Sequence, residues 1–272
     1  MGDLSLKVLI TAGVHPEEEA GVLYLRTKTI RSDWNNYLDI SIVPCRNVYG
    51  FDIAKHIGSN SKHRDYYFGT FYQSKGRLFF VPSLSYIRNE NNTDLRMLLT
   101  KTLSEESYKG FLDILSLRQG SQIHANSFFV QNGVLIDLNS RNNNLDSVFE
   151  FSTNNLLRTF NPHYFVDLHE SLGEECFIYV SKNSPKAYSL AVRIIESLKA
   201  KCVPIRNTAK DRNLLYEGIF ALESFVDYNS FCEENPIEMI FETGIDAAID
   251  QRILWTDLFV SSFLALLPGI ET

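Results

Sequence analysis

The chain has 272 residues, 44% of them hydrophobic, and a formal net charge of −7. That length holds one large domain or two small ones, and the acidic balance without a basic cluster argues against nucleic acid as the main partner. No apolar run reaches the roughly 20 residues of a membrane span. The longest, Ile253 to Leu267, is interrupted by Thr256, Asp257 and two serines and suits a buried amphipathic helix.

Strands and helices alternate along the chain. Leu6–Thr11 reads as a buried strand ending in the turn Thr11-Ala12-Gly13, and Glu17–Trp34 has helical character with Pro16 suited to a first helical position. Tyr37–Pro44 alternates apolar and polar residues as a second strand. Asn47 to Ser85 looks like loop with short elements, and Asp94–Leu117 is helical in pattern. His163–His169 and Cys176–Val180 are further strands, and Ser184–Lys201 a helix. Ile237–Phe241 is a strand running into Glu242, and Asp246–Leu267 closes the chain as a helix. This βα alternation predicts an α/β fold with a mixed, mostly parallel central sheet and helices on both faces. With no linker, repeat or low-complexity tract, residues 1–272 are expected to form a single domain. The first strand begins too early for a signal peptide. Four scattered cysteines (Cys45, Cys176, Cys202, Cys232) then read as reduced core thiols of a cytoplasmic protein.

In open α/β sheets the site lies beyond the carboxyl ends of the strands, where His15, His169 and Glu242 all fall. His15 at a strand exit and Glu18 three residues on can converge as two ligands of a catalytic zinc, which keeps one position open for water. The same acids would equally complement a helix N-terminus. His169 leaves an apolar strand between Asp167 and Glu170, either of which could accept from its ring. It could also be a strand-end histidine bonded to backbone. Glu242, behind a buried strand, could move a proton beside a metal or could cap a turn before Gly244. His56, His63, His124 and His163 sit in polar contexts and are taken as surface or turn residues, with His163 at the far end of its strand from His169.

Five short islands in order carry a resemblance. They are Gly13-Val14-His15-Pro16-Glu17-Glu18, Pro44-Cys45-Arg46-Asn47-Val48-Tyr49-Gly50-Phe51, Asp137-Leu138-Asn139-Ser140-Arg141-Asn142, Asp167-Leu168-His169 and Phe241-Glu242-Thr243. In these the chain resembles the zinc metallocarboxypeptidases of the carboxypeptidase A type and their deacylase relatives, the desuccinylases and aspartoacylases. The resemblance implies a zinc carboxypeptidase-like fold with one zinc ion per chain held by His15, Glu18 and His169. It implies Glu242 as the general base acting on water, and Arg64 as the residue stabilising the oxyanion. Asn139 and Arg141 would hold the substrate's free carboxylate, although Ser140 splits the family's contiguous Asn-Arg pair. Tyr216 has roughly the spacing of the family's mobile substrate-binding tyrosine.

The expected function is therefore a zinc-dependent hydrolase cleaving an amide bond next to a carboxylate, a carboxypeptidase acting on peptide. An N-acyl amino acid deacylase is the alternative. Only thirty residues follow Glu242, mostly one helix, where deacylases more often carry a β-rich extension. A non-catalytic metal-binding protein on the same fold would be expected to have lost one of His15, Glu18, His169 or Glu242. A nucleotide-binding protein is excluded by the absence of a Gly-x-x-x-x-Gly-Lys loop.

Overall fold

A computed structural model describes residues 6–15, 18–27, 38–46, 153–171, 173–181, 183–207, 213–222 and 236–267, nearly all with side chains, and the backbone of 70–74, 77–81, 128–131 and 134–137. The chain divides into two compact units, one built on a seven-stranded sheet and the other centred on Asn47–Asn155. The expected helix over Asp94–Leu117 and the helical position of Pro16 lie outside the described residues.

The larger sheet is assembled from β1 (Leu6–Ala12), β2 (Leu38–Val43), β7 (Tyr164–Ser171), β8 (Phe177–Ser181), β9 (Leu214–Tyr216), β10 (Ile219–Leu222) and β11 (Ile237–Gly244), in the order β2-β1-β7-β11-β8-β10-β9. β2, β1, β7 and β11 run parallel; β8 is antiparallel to β11, β10 is parallel to β8, and β9 antiparallel to β10. The mixed, mostly parallel α/β sheet is as the sequence predicts. The second unit holds β3 (Thr70–Ser74), β4 (Arg77–Val81), β5 (Phe128–Gln131) and β6 (Val134–Asp137), an antiparallel meander inside stretches the sequence reading had given no strands.

β7 is buried almost throughout, as expected of a strand in the middle of a sheet. Alternation then sorts its residues: Asp167, His169 and Ser171 face one side, Leu168 and Glu170 the other. The Leu168 side carries helices. These are α1 (Ala20–Thr27), α3 (Pro185–Ala200) and α4 (Ile249–Leu266), with α4 touching both α1 and α3. The fourth described helix, α2 (Thr153–Phe160), leads into β7. α3 starts where predicted, because Ser184 accepts from Ala187 N at 3.2 Å and Pro185 occupies the first turn. α4 is fastened to β11 by aromatic stacking: Phe241 lies parallel to Phe259 with ring centroids 4.1 Å apart, and Tyr164 meets Phe263 edge-on at 6.0 Å. None of the described helices is long and apolar enough to cross a membrane.

α1 begins at Ala20, later than predicted, where Glu170 Oε1 accepts from the Ala20 backbone N–H. Gly21 lets α1 lie against β1 and β7, since a Cβ there would stand 2.9 Å from Leu168 Cβ and 3.1 Å from Ala12 Cβ. A buried ion pair completes the join. Arg252 of α4 places Nη1 2.6 Å from both carboxylate oxygens of Glu170, and Oε1 also accepts from Ala20 N at 2.8 Å. Both side chains are nearly inaccessible. Of the described cysteines, Cys45 and Cys176 are buried thiols outside any disulfide, as expected, whereas Cys202 is exposed in the turn that ends α3.

Removing one partner of a buried pair strands the other charge, at a cost of about 3–5 kcal/mol. Arg252→Leu should lower the unfolding free energy by that order in a denaturant titration. Glu170→Gln combined with Arg252→Leu should recover much of the loss, because Gln keeps an acceptor for Ala20 N. Equal destabilisation in the single and double variants would show that the loss comes from packing.

Candidate metal centre and general base

The four residues of the expected centre come from three strand exits at one edge of the sheet. β1 ends at Ala12, and Gly13, at φ +67°, turns the chain so that Val14 and His15 fold back into the interior. An L-residue there would be strained, and its Cβ would lie 2.6 Å from Val22. His15 and Glu18 are 1% and 4% exposed, unusual for such residues without a partner charge or a metal. His169 lies near the end of β7 and is 8% exposed. One ligand atom from each of His15, Glu18 and His169 lies within 4.8 Å of the other two, the spread expected of three donors to one ion.

The two nitrogens of His169 have different neighbours. Nδ1 stands 3.1 Å from Glu18 Oε2, and Nε2 stands 3.1 Å from Asp167 Oδ2. A metal-binding histidine needs this arrangement, one nitrogen turned to the other ligands and the second held by a carboxylate that orients the ring. Of the two flanking acids, Asp167 fills that role, and Glu170 is turned away to Arg252. Asp167 is itself fixed by Thr11 Oγ1 donating at 2.6 Å and by Arg46 Nη1 at 2.8 Å. Burial alone would push the Asp167 carboxyl up, but the charges of His169 and Arg46 outweigh it and hold the group well below the usual carboxylate range. Burial likewise presses His169 toward neutrality, and Glu18 and Asp167 more than reverse this, holding the ring well above its ordinary value.

Glu242 pairs in register with His169 of β7 and with Phe177 of β8, which puts the three side by side on one face. Its residue is half-buried, but Oε2 is sealed from solvent and has no hydrogen-bond partner. Burial raises its pKa; His169 and Arg206 pull it down, while Asp167 and Glu170 push it up. An acceptor left orphaned beside His169 is costly unless something positively charged or proton-donating occupies the space. Donor set, burial and orphaned oxygen together fit a divalent metal with a water beside it.

Arg64, Asn139 and Arg141 lie outside the described residues, as do His56, His63 and His124. Tyr216 is exposed on β9, four strands from β7 and so about 19 Å away at 4.8 Å per strand. Its hydroxyl donates to Glu196 Oε1 at 2.8 Å, and Lys199 Nζ lies 5.2 Å from its ring centroid. His163 is at the far end of β7, where its Nδ1 accepts from Lys7 N at 2.9 Å. The sequence reading did not single out Arg46 as the support of Asp167 or Arg206 as a neighbour of Glu242. Arg46 stood inside a quoted island without a role, and Arg206 carried no local signal.

No protein-family model and no curated relative matches the chain. Solved structures do. A structure described as a candidate metallopeptidase from Shewanella amazonensis superposes with a TM-score of 0.50 at 17% identity, over 98% of this chain and 79% of that one. The murein-tripeptide amidase MpaA from Escherichia coli gives 0.38 at 14% identity, over 98% and 82%. A cell shape determinant from Helicobacter pylori, a D,L-carboxypeptidase in its mDAP-bound form, gives 0.39 at 11%, this chain spanning about half (52%) of it. The fold is that of the zinc carboxypeptidase-like metallopeptidases.

A charged His169 gained on folding stabilises the metal-free protein fully below its ordinary pKa of 6.5, and that contribution is lost as pH rises through the raised value. Metal must displace the same proton. The chelator-treated protein should therefore lose thermal stability as pH climbs above 6.5, while the gain in Tm on adding zinc grows over that window. A zinc-induced gain that is flat from pH 6 to pH 9 would count against His169 as a ligand.

Proposed function

We propose that the chain is a zinc-dependent hydrolase of an amide bond next to a carboxylate, acting as a carboxypeptidase on peptide, with residues 1–272 working as one catalytic domain. The observation that carries this reading is the His15, Glu18 and His169 group beside the orphaned Glu242 carboxylate. Three protein donors leave a position for water or substrate, the pattern of a catalytic and not a structural zinc. The free thiols among the described cysteines suit a cytoplasmic setting.

His15, Glu18 and His169 would hold one zinc ion, with Asp167 keeping Nδ1 of His169 turned toward it. Zinc bound there supplies Lewis acidity toward the scissile carbonyl and makes a neighbouring water more acidic. Glu242 takes the proton from the attacking water and returns it to the departing nitrogen. Burial raises its pKa, which makes it a stronger base toward the water's proton than an exposed carboxylate. Arg64 would stabilise the oxyanion, and Asn139 and Arg141 would hold the terminal carboxylate. Tyr216 would close over the substrate only after releasing its bond to Glu196.

Elemental analysis of chelator-free protein should find about one zinc per chain, and His169→Ala should lose it. Glu242→Gln keeps shape but cannot take a proton, so it should retain zinc and lose about three orders of magnitude in kcat. The substrate panel is N-blocked dipeptides set beside N-acyl amino acids. Zinc-loaded protein that cleaves neither class would overturn the hydrolase reading.

A further inference from the structure

On the face of the sheet that carries the metal group, Ser171 and Gly244 stand one pleat beyond His169 and Glu242, about 7 Å further on at some 3.3 Å per residue. Arg206 reaches into this corner from the segment after α3. Its backbone is clipped to the entry of β8: Cys176 N donates to Pro204 O at 2.8 Å, and Arg206 N donates to Cys176 O at 3.0 Å. The guanidinium lies over the ring of Phe177, with Cζ 4.1 Å from the centroid, and Nη2 donates to Ser171 Oγ at 3.1 Å. Phe177 is the register partner of Glu242 on one side and His169 its partner on the other. Arg206 therefore bridges from β8 to β7 across the end of β11, directly beyond the general base.

We propose that Arg206 is a specificity-determining residue that holds a carboxylate of the substrate beside Glu242. The proposal deepens the hydrolase reading and names a second acid-binding position, distinct in sequence from Asn139 and Arg141. Stacking on Phe177 fixes the plane of the guanidinium, so a two-pronged contact with a carboxylate costs little further ordering. The aromatic floor also removes water from that contact, which strengthens it. Glu175 Oε2 lies 3.8 Å from Nε, but its side chain is about half exposed, and such a pair contributes little. A carboxylate pressed against Phe177 displaces it.

A purely structural role, closing the Gly173–Cys176 loop onto Phe177, would leave ligand choice untouched. The test is calorimetric binding of N-acetyl-L-glutamate and N-acetyl-L-glutamine, matched in shape and differing in charge, to the zinc-loaded full chain. The parent should prefer the acid by about tenfold or more, as a charged hydrogen bond supplies. Arg206→Met, with its thermal midpoint and zinc content checked, should erase that preference, and Glu175→Gln should widen it. Should Arg206→Met fail to fold, Arg206→Lys carries the test, with a preference reduced several-fold. No preference in the parent, or a preference that survives substitution of Arg206, overturns the proposal. An acid preference lost with Arg206 in a protein that hydrolyses no amide would leave this site standing and sink the hydrolase reading. Hydrolysis with a preference indifferent to Arg206 would do the reverse.

Discussion

Asp167 is a carboxylate sealed inside the protein, and the local structure is organised around keeping it charged. A buried charge is tolerated only when its partners supply nearly all that water would have supplied. Here they come from three places in the chain: Thr11 from the last turn of β1, Arg46 from just past β2, and His169 from two residues further along β7. Sliding β1 against β7 by one residue would turn Thr11 to the wrong face and leave Asp167 with an unmet acceptor. Arg46 also ties the loop after β2 to the sheet, because its backbone N donates to Ala12 O at 2.9 Å. The register of the parallel sheet and the orientation of the His169 ring thus depend on the same carboxylate.

The residue after His169 does the complementary work on the opposite face. Glu170 points to the helix layer, where it accepts from the first N–H of α1 and binds Arg252 of α4. Glu18 sits two residues before that N–H, so the end of the loop carrying it is fastened to the same strand that carries His169. Asp167 and Glu170, three residues apart on one strand, thereby hold the loop after β2 and the start of α1 through two separate buried ion pairs. The close approach at Gly21 shows how little slack remains there: a Cβ on the helix at that position would meet Leu168, which lies between Asp167 and Glu170 on β7. A loop fastened in this way would leave a metal less to reorganise on binding.

The sheet and its edge were legible because they follow from local pattern. Apolar runs ending in His or Glu marked β1, β7 and β11, and the spacing of His15 and Glu18 depends only on the turn at Gly13. The partners of these groups were not legible. Arg46, Arg206 and Arg252 each meet a carboxylate or ring far away in sequence, and nothing in the neighbouring residues of an arginine reveals which acid it will face. Glu170 and Asp167 look alike as flanks of His169, yet alternation alone separates them: two residues apart share a face, one residue apart do not. β9 and β10 are too short, at three and four residues, for periodicity to register. Each gains its pairing from the neighbouring strand.

Glu242 differs from the two buried acids that anchor the sheet. Asp167 and Glu170 have their acceptors filled by donors on the protein, whereas Glu242 Oε2 is enclosed with none. Its backbone lies inside β11, paired in register with β7 on one side and β8 on the other. Such a group lowers stability, and hydrophobic packing of β11 against α4 through Phe241 and Phe259 offsets the loss. The charges around it oppose one another, His169 and Arg206 favouring the carboxylate while burial, Asp167 and Glu170 favour the acid. A cation arriving at its open oxygen would add to the side that favours the carboxylate. A structural acid gains nothing from that opposition, whereas the general base proposed for Glu242 would use it.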